Sequence, residues 1–393
     1  MAKPEGQPDK VESFARNAAT ELLHNLDLSL NRLWDLGRNV VVGWARLADG
    51  IDVLVVPNHK LSECLSDYEF FLVGSRLVST EKLAEAAHFF DKVPAKIPFP
   101  PSVGGLHVQD ADIDKVISRY AIKKTRYRAA LLFDIVKFSM YSPLQQVMQL
   151  NSLQNSISAA QHEMIRRGTP INVCRSSTGD GFYVWNREIG LDNDVNLFFL
   201  MVMALGHNAV SRYKGKEGAV PHLRTCFHIG SHFEFFQSEA LSPSISAYIV
   251  GDLTIELARM VEKAMPGQIL FGSFVRQIDG PTKLIAGQTR GNAPLFMAMA
   301  QKDTAILKDL IIADEKISEI KLYLTGSNQA DGRHNIKRYR IFDKHGKSHH
   351  VFNAKINLLR GNDQPIPIGR MDKQLEGFDA EENILDLSGS WTA

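Results

Sequence analysis

The chain has 393 residues, of which 44% are hydrophobic and 23% are charged, a composition typical of folded globular proteins. Its 45 basic and 44 acidic residues give a net charge of +1, which does not favour nucleic acid or an anionic membrane surface as a partner. The cysteines Cys64, Cys174 and Cys226 form no CxxC pair, so neither a disulfide framework nor a structural zinc site is indicated. With no signal-peptide pattern and no run of ~20 apolar residues, a cytoplasmic protein without a membrane span is expected.

The first third of the chain is predicted to be mainly helical. Apolar residues recur every three or four positions over 11–37, which is typical of an amphipathic helix. A second helical segment is predicted over 67–91. Several prolines follow between positions 93 and 105, and such a run excludes a helix or a central strand. The predicted organisation is a mainly helical region at 1–92 and a Pro-rich linker at 93–124.

Strands and helices alternate over 125–280, which predicts an α/β sandwich with helices packed on a mixed sheet. The predicted helices cover 144–167, 193–213 and 254–264. The predicted strands cover 129–133, 171–174, 182–185, 223–229 and 269–271.

Residues 281–393 are predicted to form a small C-terminal α+β domain with a tail. A loop is expected over 280–294, and the strands at 320–324 and 337–342 are expected to pair. Asp343-Lys344-His345-Gly346 predicts a hairpin turn before a returning strand at 349–356. The chain beyond Gly361 is expected to be loose.

Two carboxylates occur at predicted strand ends, where ligand sites commonly open. Asp134 directly follows an apolar strand, and Asp180 lies in the Gly179-Asp180-Gly181 turn. Carboxylates on adjacent strands can bridge two Mg²⁺ or Mn²⁺ ions. Taken singly, each is more typical of an ordinary turn or cap residue.

Four segments in order resemble the signature motifs of class III nucleotidyl cyclases. Residues 133–139 are similar to Phe-x-Asp-Ile-x-x-Phe-Thr, and 177–182 to the second metal-binding segment. Residues 223–230 are similar to Arg-x-Gly-Ile-His-x-Gly, and 251–260 with 266–269 to the Gly-x-x-x-Asn-x-x-x-Arg-Met helix and its following Pro-Gly-x-Ile strand. The resemblance implies an α+β cyclase core of ferredoxin-like type over about residues 125–280.

The resemblance also implies roles for individual residues at a composite active site of a homodimer. Two divalent metal ions, Mn²⁺ or Mg²⁺, would be held by Asp134, Asp180 and the Ile135 carbonyl. Arg259, supplied by the other protomer, would be the catalytic residue that stabilises charge at the α-phosphate. The triphosphate of the bound nucleoside triphosphate would be held by Arg224 and by the backbone N–H groups of Val136, Lys137, Phe138 and Ser139.

The expected base pocket departs from both purine patterns of the family. Adenylate-forming members carry Lys and Asp, and guanylate-forming members usually Glu and Cys, where this chain has Ser176 and Tyr248. Tyrosine adds bulk and keeps a hydroxyl group, which favours a smaller base. With Arg175 beside them, these residues predict a pyrimidine nucleoside triphosphate as substrate. UTP is favoured, although no residue separates UTP from CTP.

The chain also resembles bacterial pyrimidine cyclases of the Pycsar anti-phage systems, many of which carry a small C-terminal sensor-like domain. That resemblance implies cyclic UMP or cyclic CMP as a messenger that acts on a separate effector. Two alternatives stay open. One is a purine cyclase with an unusual pocket. The other is an inactive nucleotide sensor, which Ile255 favours because the family places a ribose-orienting asparagine there. His345, His349 and His350 are interpreted as ordinary strand and turn residues rather than metal ligands.

Overall fold

A computed structural model describes residues 8–63, 72–99, 108–169, 171–214, 219–238, 245–277, 290–307, 309–312, 315–328, 334–360, 363–375 and 377–385. The chain folds as two units. The N-terminal unit comprises Met1–Arg126 and Phe233–Ile249, and the second unit comprises Tyr127–His232 and Val250–Ala393.

The N-terminal unit combines helices with a three-stranded antiparallel sheet. Strand β2 (Gly50–Pro57) lies between β1 (Asn39–Leu47) and β3 (Ala95–Pro98). The helices described in this unit are α1 (Pro8–Trp34), α2 (Asn58–Glu63), α3 (Thr80–Phe89) and α4 (Asp110–Ile117). The sheet departs from the predicted mainly helical region, because β-branched runs on both sides of a Gly-containing turn favour a hairpin.

The segment predicted as a Pro-rich linker contributes to the core of this unit. β3 pairs with β2, and Pro98 ends β3 at the edge of the sheet, where a missing N–H group is tolerated. Ile113 and Ile117 of α4 are fully buried beside Trp44 and α1 residues such as Leu30. The segment therefore packs as part of a folded unit. Of the predicted 67–91 helix, residues 67–71 lie outside the described residues.

The second unit has a β-α-β-β-α-β core whose topology positions the candidate site. Its strands are β4 (Lys123–Ile135), β5 (Val173–Ser177), β6 (Gly181–Asn186) and β7 (Leu223–Ser238). Helix α5 (Pro143–Arg166) connects β4 to β5, and α6 (Leu191–Lys214) connects β6 to β7. The spatial order β7-β4-β6-β5 is that of a ferredoxin-like fold. The predicted fold class is therefore confirmed.

The C-terminal third extends the same sheet and does not form a separate unit. Strand β9 (Ile269–Gly272) runs parallel to β7, and β17 (Ser348–Arg360) pairs with β9. β17 also forms the predicted hairpin with β16 (His334–Phe342). The remaining elements are β8 (Ile245–Val250), α7 (Asp252–Lys263), β10 (Val275–Gln277), β11 (Arg290–Asn292), α8 (Ala293–Lys302), β12 (Ile311–Ile312), β13 (Glu315–Lys316), β14 (Glu319–Leu324), β15 (Gly326–Asn328), β18 (Asp363–Ile368) and β19 (Asp379–Leu385).

Three local predictions for this region are wrong. β14 pairs with β17 and not with β16, because the long β17 offers a second edge beside the hairpin. The segment beyond Gly361 contains β18 and β19, which pair with β17 and β16. Of the predicted 280–294 loop, 280–289 lie outside the described residues, whereas 290–292 form β11 and Asn292 caps α8 by accepting a hydrogen bond from the Leu295 N–H.

Helix α6 forms the centre of the core of the second unit. Phe198 packs in an aromatic cluster with Phe227, Phe271 and Phe296 at centroid distances of 5.6–5.9 Å. By length and composition, α6 is the one described helix that could cross a membrane, yet 78% of its most apolar window is buried. Its apolar surface is therefore covered by this sheet and its neighbouring elements.

The buried carboxylate of Asp194 links α6 to the sheet. Asp194 accepts a hydrogen bond of 2.7 Å from the Ala129 N–H of β4 and forms an ion pair with Arg276 of β10. Burial raises the pKa of Asp194 to about 6, although Arg276 and the Ala129 N–H oppose this shift. The ionised form thus depends on its partners.

Replacing Arg276 with methionine is expected to lower the free energy of unfolding by about 3–5 kcal/mol at neutral pH, because it leaves a buried carboxylate unpaired. Because the pKa of folded Asp194 is already raised, the loss should be smaller at pH 5 than at pH 8, where the folded protein must keep the unpaired charge. Urea unfolding at both pH values measures this. The double variant Asp194→Asn/Arg276→Met is the control and should recover part of the loss. Equal losses at both pH values would contradict the account.

Candidate active site

Asp134 lies near the end of β4 on the sheet face opposite α5 and α6. Alternation along the strand places Phe133 and Ile135 in the core, so the Asp134 side chain points to the other face. Asp134 is only 6% exposed. The apolar strand thus holds one carboxylate at the edge of an apolar layer.

A close approach of β4 and β6 brings the second carboxylate to the same place. Gly181 is opposite Asp134, and a Cβ atom on Gly181 would lie only 1.9 Å from the Phe133 carbonyl oxygen. The Ile135 N–H donates to the backbone oxygen of Asp180 at 2.9 Å. Gly179 has a φ of +96°, which favours glycine. Glycine is therefore required at both positions of the turn for steric reasons, and the two glycines together position Asp180.

Arg224 of β7 binds the buried carboxylate directly. Its Nε donates to Asp134 Oδ2 at 2.7 Å, and its Nη2 lies 2.6 Å from the same oxygen. Burial nevertheless raises the pKa of Asp134, since the opposing effect of Arg224 is incomplete and the charge of Asp180 raises it further. The two carboxylates are therefore close enough to repel each other, and one arginine does not offset their combined charge.

This charge balance fits divalent cations. Mg²⁺ is commonly held by one or two carboxylates, with substrate phosphates and water completing the shell. Asp134 and Asp180 supply such a pair, and the Ile135 carbonyl remains a predicted ligand. Within the described ranges, no cluster of three or more His, Cys, Asp or Glu side chains is arranged to hold a metal ion. The donor set thus fits a cation shared with a phosphate ligand and does not resemble a closed structural site.

The predicted triphosphate loop follows β4 directly. Lys137 adopts the left-handed conformation with φ 57°, and Phe138–Met140 form a 3₁₀ turn. The first N–H groups of such a turn have no partner within it, so those of Phe138 and Ser139 suit an anion. The prediction for Val136 needs correction, because its N–H donates to the His222 carbonyl at 2.9 Å.

The structure separates the predicted base-pocket residues. Ser176 pairs with Tyr183 and lies on the Asp134 face. Arg175 lies on the opposite face, where it donates to Ser158 Oγ at 3.3 Å and to Gln161 Oε1 at 3.1 Å on α5. The assignment of Arg175 beside Ser176 is therefore wrong, because neighbouring strand residues point to opposite faces.

Tyr248 belongs to the N-terminal unit. It is 38% exposed, and its ring centroid lies 6.5 Å from that of Phe235. Its predicted pairing with Ser176 stays a prediction.

Arg259 of α7 contacts two carboxylates of its own protomer. Its Nη1 donates to Glu262 Oε1 at 3.2 Å, and its Nε lies 3.3 Å from Asp343 Oδ2. Ile255 lies one turn earlier and is 50% exposed. Glu256 does not replace the expected asparagine, because its carboxylate binds His349. Any action of Arg259 at a partner's site stays a prediction.

Several residues around the site carry no signal in the sequence. Tyr183 on β6 donates its hydroxyl to the Thr254 carbonyl at 3.2 Å, which ties α7 to the sheet. His349 and Asp343 contact α7 from the β16–β17 hairpin. The interpretation of His349 as an ordinary strand residue missed its two carboxylate neighbours, Glu256 and Asp343. The sheet pairing of β17 with β9, the strand that follows α7, brings the hairpin residues to this helix.

Comparisons with known proteins give weak likenesses. Neither a protein-family model nor a curated protein matches the chain. Among solved structures, the guanylate cyclase domain of RhGC from Catenaria anguillulae, in complex with GTP, is 15% identical with a TM-score of 0.31, over 43% of this chain and 95% of that one. The adenylyl cyclase CyaB from P. aeruginosa is 11% identical with a TM-score of 0.34, over 59% and 95%. The guanylyl cyclase Cya2 is 12% identical with a TM-score of 0.33, over 59% and 92%. Such low identities and TM-scores support no functional conclusion. Any proposal on function must therefore rest on the side chains of the site.

Replacing Asp134 with asparagine is expected to leave the free energy of unfolding in metal-free buffer unchanged or higher. Because the folded pKa is raised, the wild-type protein loses stability as the pH rises from the usual aspartate range through that pKa, and asparagine removes this loss. Thermal unfolding at pH 7 measures the effect. A clear fall in Tm would mean that the Arg224 pair outweighs burial.

Mn²⁺ with inorganic triphosphate should raise the Tm of the wild-type protein, since a ligand that binds only the folded state stabilises it. The shift should disappear in Asp134→Asn and in Asp180→Asn. Asp192→Asn is the matched control, because Asp192 is an exposed carboxylate in the first turn of α6. A shift that persists in both site variants would place the cation elsewhere.

Proposed function

We propose that the chain is a nucleotidyl cyclase that converts a nucleoside triphosphate into its 3′,5′-cyclic monophosphate and pyrophosphate. The observation that supports this most is the buried carboxylate of Asp134 with the half-buried carboxylate of Asp180 nearby and Arg224 bound to the first. Such a site has surplus negative charge but an arginine within reach, which suits a phosphate bound through cations. The Phe138–Met140 turn supplies N–H donors beside it.

Each group of the proposed site has a defined task in this reaction. The 3′-oxygen attacks the α-phosphorus, the bond to the β-phosphate oxygen breaks, pyrophosphate leaves and the hydroxyl proton passes to solvent. Bound divalent cations would lower the pKa of the attacking hydroxyl and neutralise phosphoryl charge. Asp134 and Asp180 would hold the cations that bind the reacting end of the nucleotide, and the N–H groups of Phe138 and Ser139 bind phosphate oxygens. Arg224 moves part of its contact from Asp134 to the phosphate.

The composite site requires a homodimer in which one protomer supplies Arg259 to the other. An exposed apolar stripe supports an interface, since contiguous exposed apolar side chains often mark protein–protein contact sites. Met140, Leu144, Val147 and Met148 are 77%, 71%, 54% and 45% exposed, and the last three lie on one face of α5. The planar, permanently charged guanidinium of Arg259 suits the task of stabilising negative charge as it develops at the α-phosphate.

The proposed substrate is a pyrimidine nucleoside triphosphate, with UTP favoured. Ser176 lies on the Asp134 face and offers a small hydroxyl group in place of the charged side chains of purine-specific pockets. Tyr248 would supply bulk. The product would be a cyclic pyrimidine nucleotide that acts on a separate effector in the cytoplasm, in the manner of anti-phage signalling. Because Arg175 lies on the opposite face of the sheet, the proposed selection of the base depends on Ser176 and Tyr248 alone.

A catalytically inactive nucleotide sensor is the second candidate, and α7 supplies the observation that favours it. Ile255 offers no polar atom for a ribose, and the Thr254 hydroxyl donates to the Gly251 carbonyl at 2.9 Å. An exposed isoleucine at this position would then belong to a surface that no longer orients substrate.

Replacing Ile255 with asparagine tests whether this position limits the proposed reaction. Positions 255 and 259 share one helix face, so the new amide would lie beside Arg259, and the exposed position should tolerate it. We expect kcat to rise by about fivefold or more, because a positioned ribose reacts from a better geometry. The Tm should stay within experimental error. Ile255→Gln, with the same amide on a longer side chain, is the control; equal gains in both variants would contradict a specific ribose contact.

The substrate assay compares ATP, GTP, CTP and UTP with Mn²⁺, and mass spectrometry identifies the products. Cyclic UMP is expected as the main product and cyclic CMP as the next. Asp134→Ala and Asp180→Ala should each remove the activity, whereas Asp192→Asn should retain it.

The possible outcomes of this assay separate the candidates. Cyclic AMP or cyclic GMP as the main product would keep the cyclase and reject the pyrimidine pocket. A folded protein that binds a nucleotide but forms no product would reject the cyclase in favour of the sensor.

A further inference from the structure

The C-terminal hairpin contacts the one helix face that carries Arg259. Glu256 and Arg259 are three residues apart on α7, so their side chains project from the same face. Glu256 accepts a hydrogen bond from His349 Nδ1 at 2.8 Å, and Arg259 Nε lies 3.3 Å from Asp343 Oδ2. His349 is on β17 and Asp343 is in the turn between β16 and β17. Two adjacent points of α7 are therefore attached to one hairpin.

Asp343 is held in place by the turn itself. Its Oδ1 accepts hydrogen bonds from the backbone N–H groups of His345 at 2.8 Å and Lys347 at 2.9 Å. Burial alone would raise the pKa of Asp343, but these N–H groups, together with Arg259, hold it below its usual range. Its side chain is 5% exposed. Asp343 is thus a fixed, ionised acceptor whose free oxygen, Oδ2, faces Arg259.

His349 packs beside the same carboxylate without a hydrogen bond to it. Its ring is 3% exposed, and its Nε2 lies 3.5 Å from Asp343 Oδ2 while its Nδ1–H donates to Glu256. A ring buried between two carboxylates on different elements restricts the rotation of both. The four side chains thus lie side by side, joined by the hydrogen bond from His349 to Glu256 and by the ion pair of Asp343 with Arg259.

We propose that Asp343 is a positioning residue for Arg259, with His349 as its support, so that the C-terminal hairpin sets the direction of the catalytic guanidinium. Binding through Nε fixes the plane of the guanidinium group and leaves Nη2 available to a phosphate oxygen. A carboxylate behind an arginine in this way limits its rotamers before the substrate binds. The hairpin lies beyond the core motifs, so the appended segment completes the site.

This inference rests on the proposed cyclase function, since the value of a positioned arginine is measured through that reaction. Asp343→Asn is the decisive variant. Asparagine keeps an oxygen for the N–H groups of His345 and Lys347, and its amide nitrogen can donate to His349 Nε2. That nitrogen cannot accept from Arg259, so the arginine contact is lost while the turn contacts of Oδ1 remain.

The expected result for Asp343→Asn is a fall in kcat of about tenfold or more, with KM for the nucleotide changed by less than about threefold, as for other groups that orient a reacting residue. Arg259→Ala should lower kcat further, and Asp343→Asn should add nothing in that background, because the two residues act through one contact. Glu381→Gln is the matched control. It removes a carboxylate that binds His350 of the same hairpin at 2.9 Å, and kcat should stay within twofold.

The outcomes distinguish this inference from the proposed function. A wild-type protein that forms no cyclic nucleotide overturns both. An active wild-type protein whose kcat is unchanged by Asp343→Asn overturns the positioning role alone. Additive losses in Arg259→Ala/Asp343→Asn also overturn it, as they would show a general structural effect. The contact itself has an independent readout in the ¹⁵N NMR signal of Arg259 Nε–H, assigned by its loss in Arg259→Lys, which should shift in Asp343→Asn and not in Glu381→Gln.

Discussion

The buried carboxylate of Asp134 is the constraint on which the site depends. It lies between one positive neighbour, Arg224, and one negative neighbour, Asp180, and burial raises its pKa despite the arginine. Replacing this buried carboxylate would make the folded state more stable. Its cost in stability is therefore offset only by the ligand that the charge can bind. The surplus negative charge favours cations, and Arg224 favours an anion beside them. A metal-bound phosphate combines both in one ligand.

Backbone geometry sets this arrangement more than side-chain packing does. Gly181 allows β6 to approach the Phe133 carbonyl, and the Ile135 N–H then binds the backbone of Asp180. Strand alternation directs Asp134 and Ser176 to one face and Arg175 to the other. A shift of one residue in register would exchange these faces, so the pairing of β4, β5 and β6 determines which polar residues can meet.

The resemblance to the cyclase motifs implied that Asp134, Asp180 and Arg224 share one site. Sequence patterns predicted the alternating strands and helices of the core, because each depends on a local run of residues. They did not predict the β1–β2 hairpin, where a valine-rich run resembles any buried segment. They also missed the pairing of β9 with β17, which joins residues about 80 positions apart along the chain. The prediction that placed Arg175 in the base pocket was wrong for a simpler reason, because adjacent residues of a strand point to opposite faces of the sheet.

Each of the two arginines of the proposed reaction is bound to a carboxylate. Arg224 binds the carboxylate of Asp134, which also takes part in the site, whereas Arg259 binds Asp343, which lies on the hairpin. The first contact has to be partly exchanged for a phosphate, so its strength opposes substrate binding. The second can persist while Nη2 reaches a phosphate, so its strength improves orientation without a cost in binding. A carboxylate behind an arginine therefore differs in effect from a carboxylate in front of it, and this difference supports the proposed roles of Arg224 in binding and of Arg259 at the reacting phosphate.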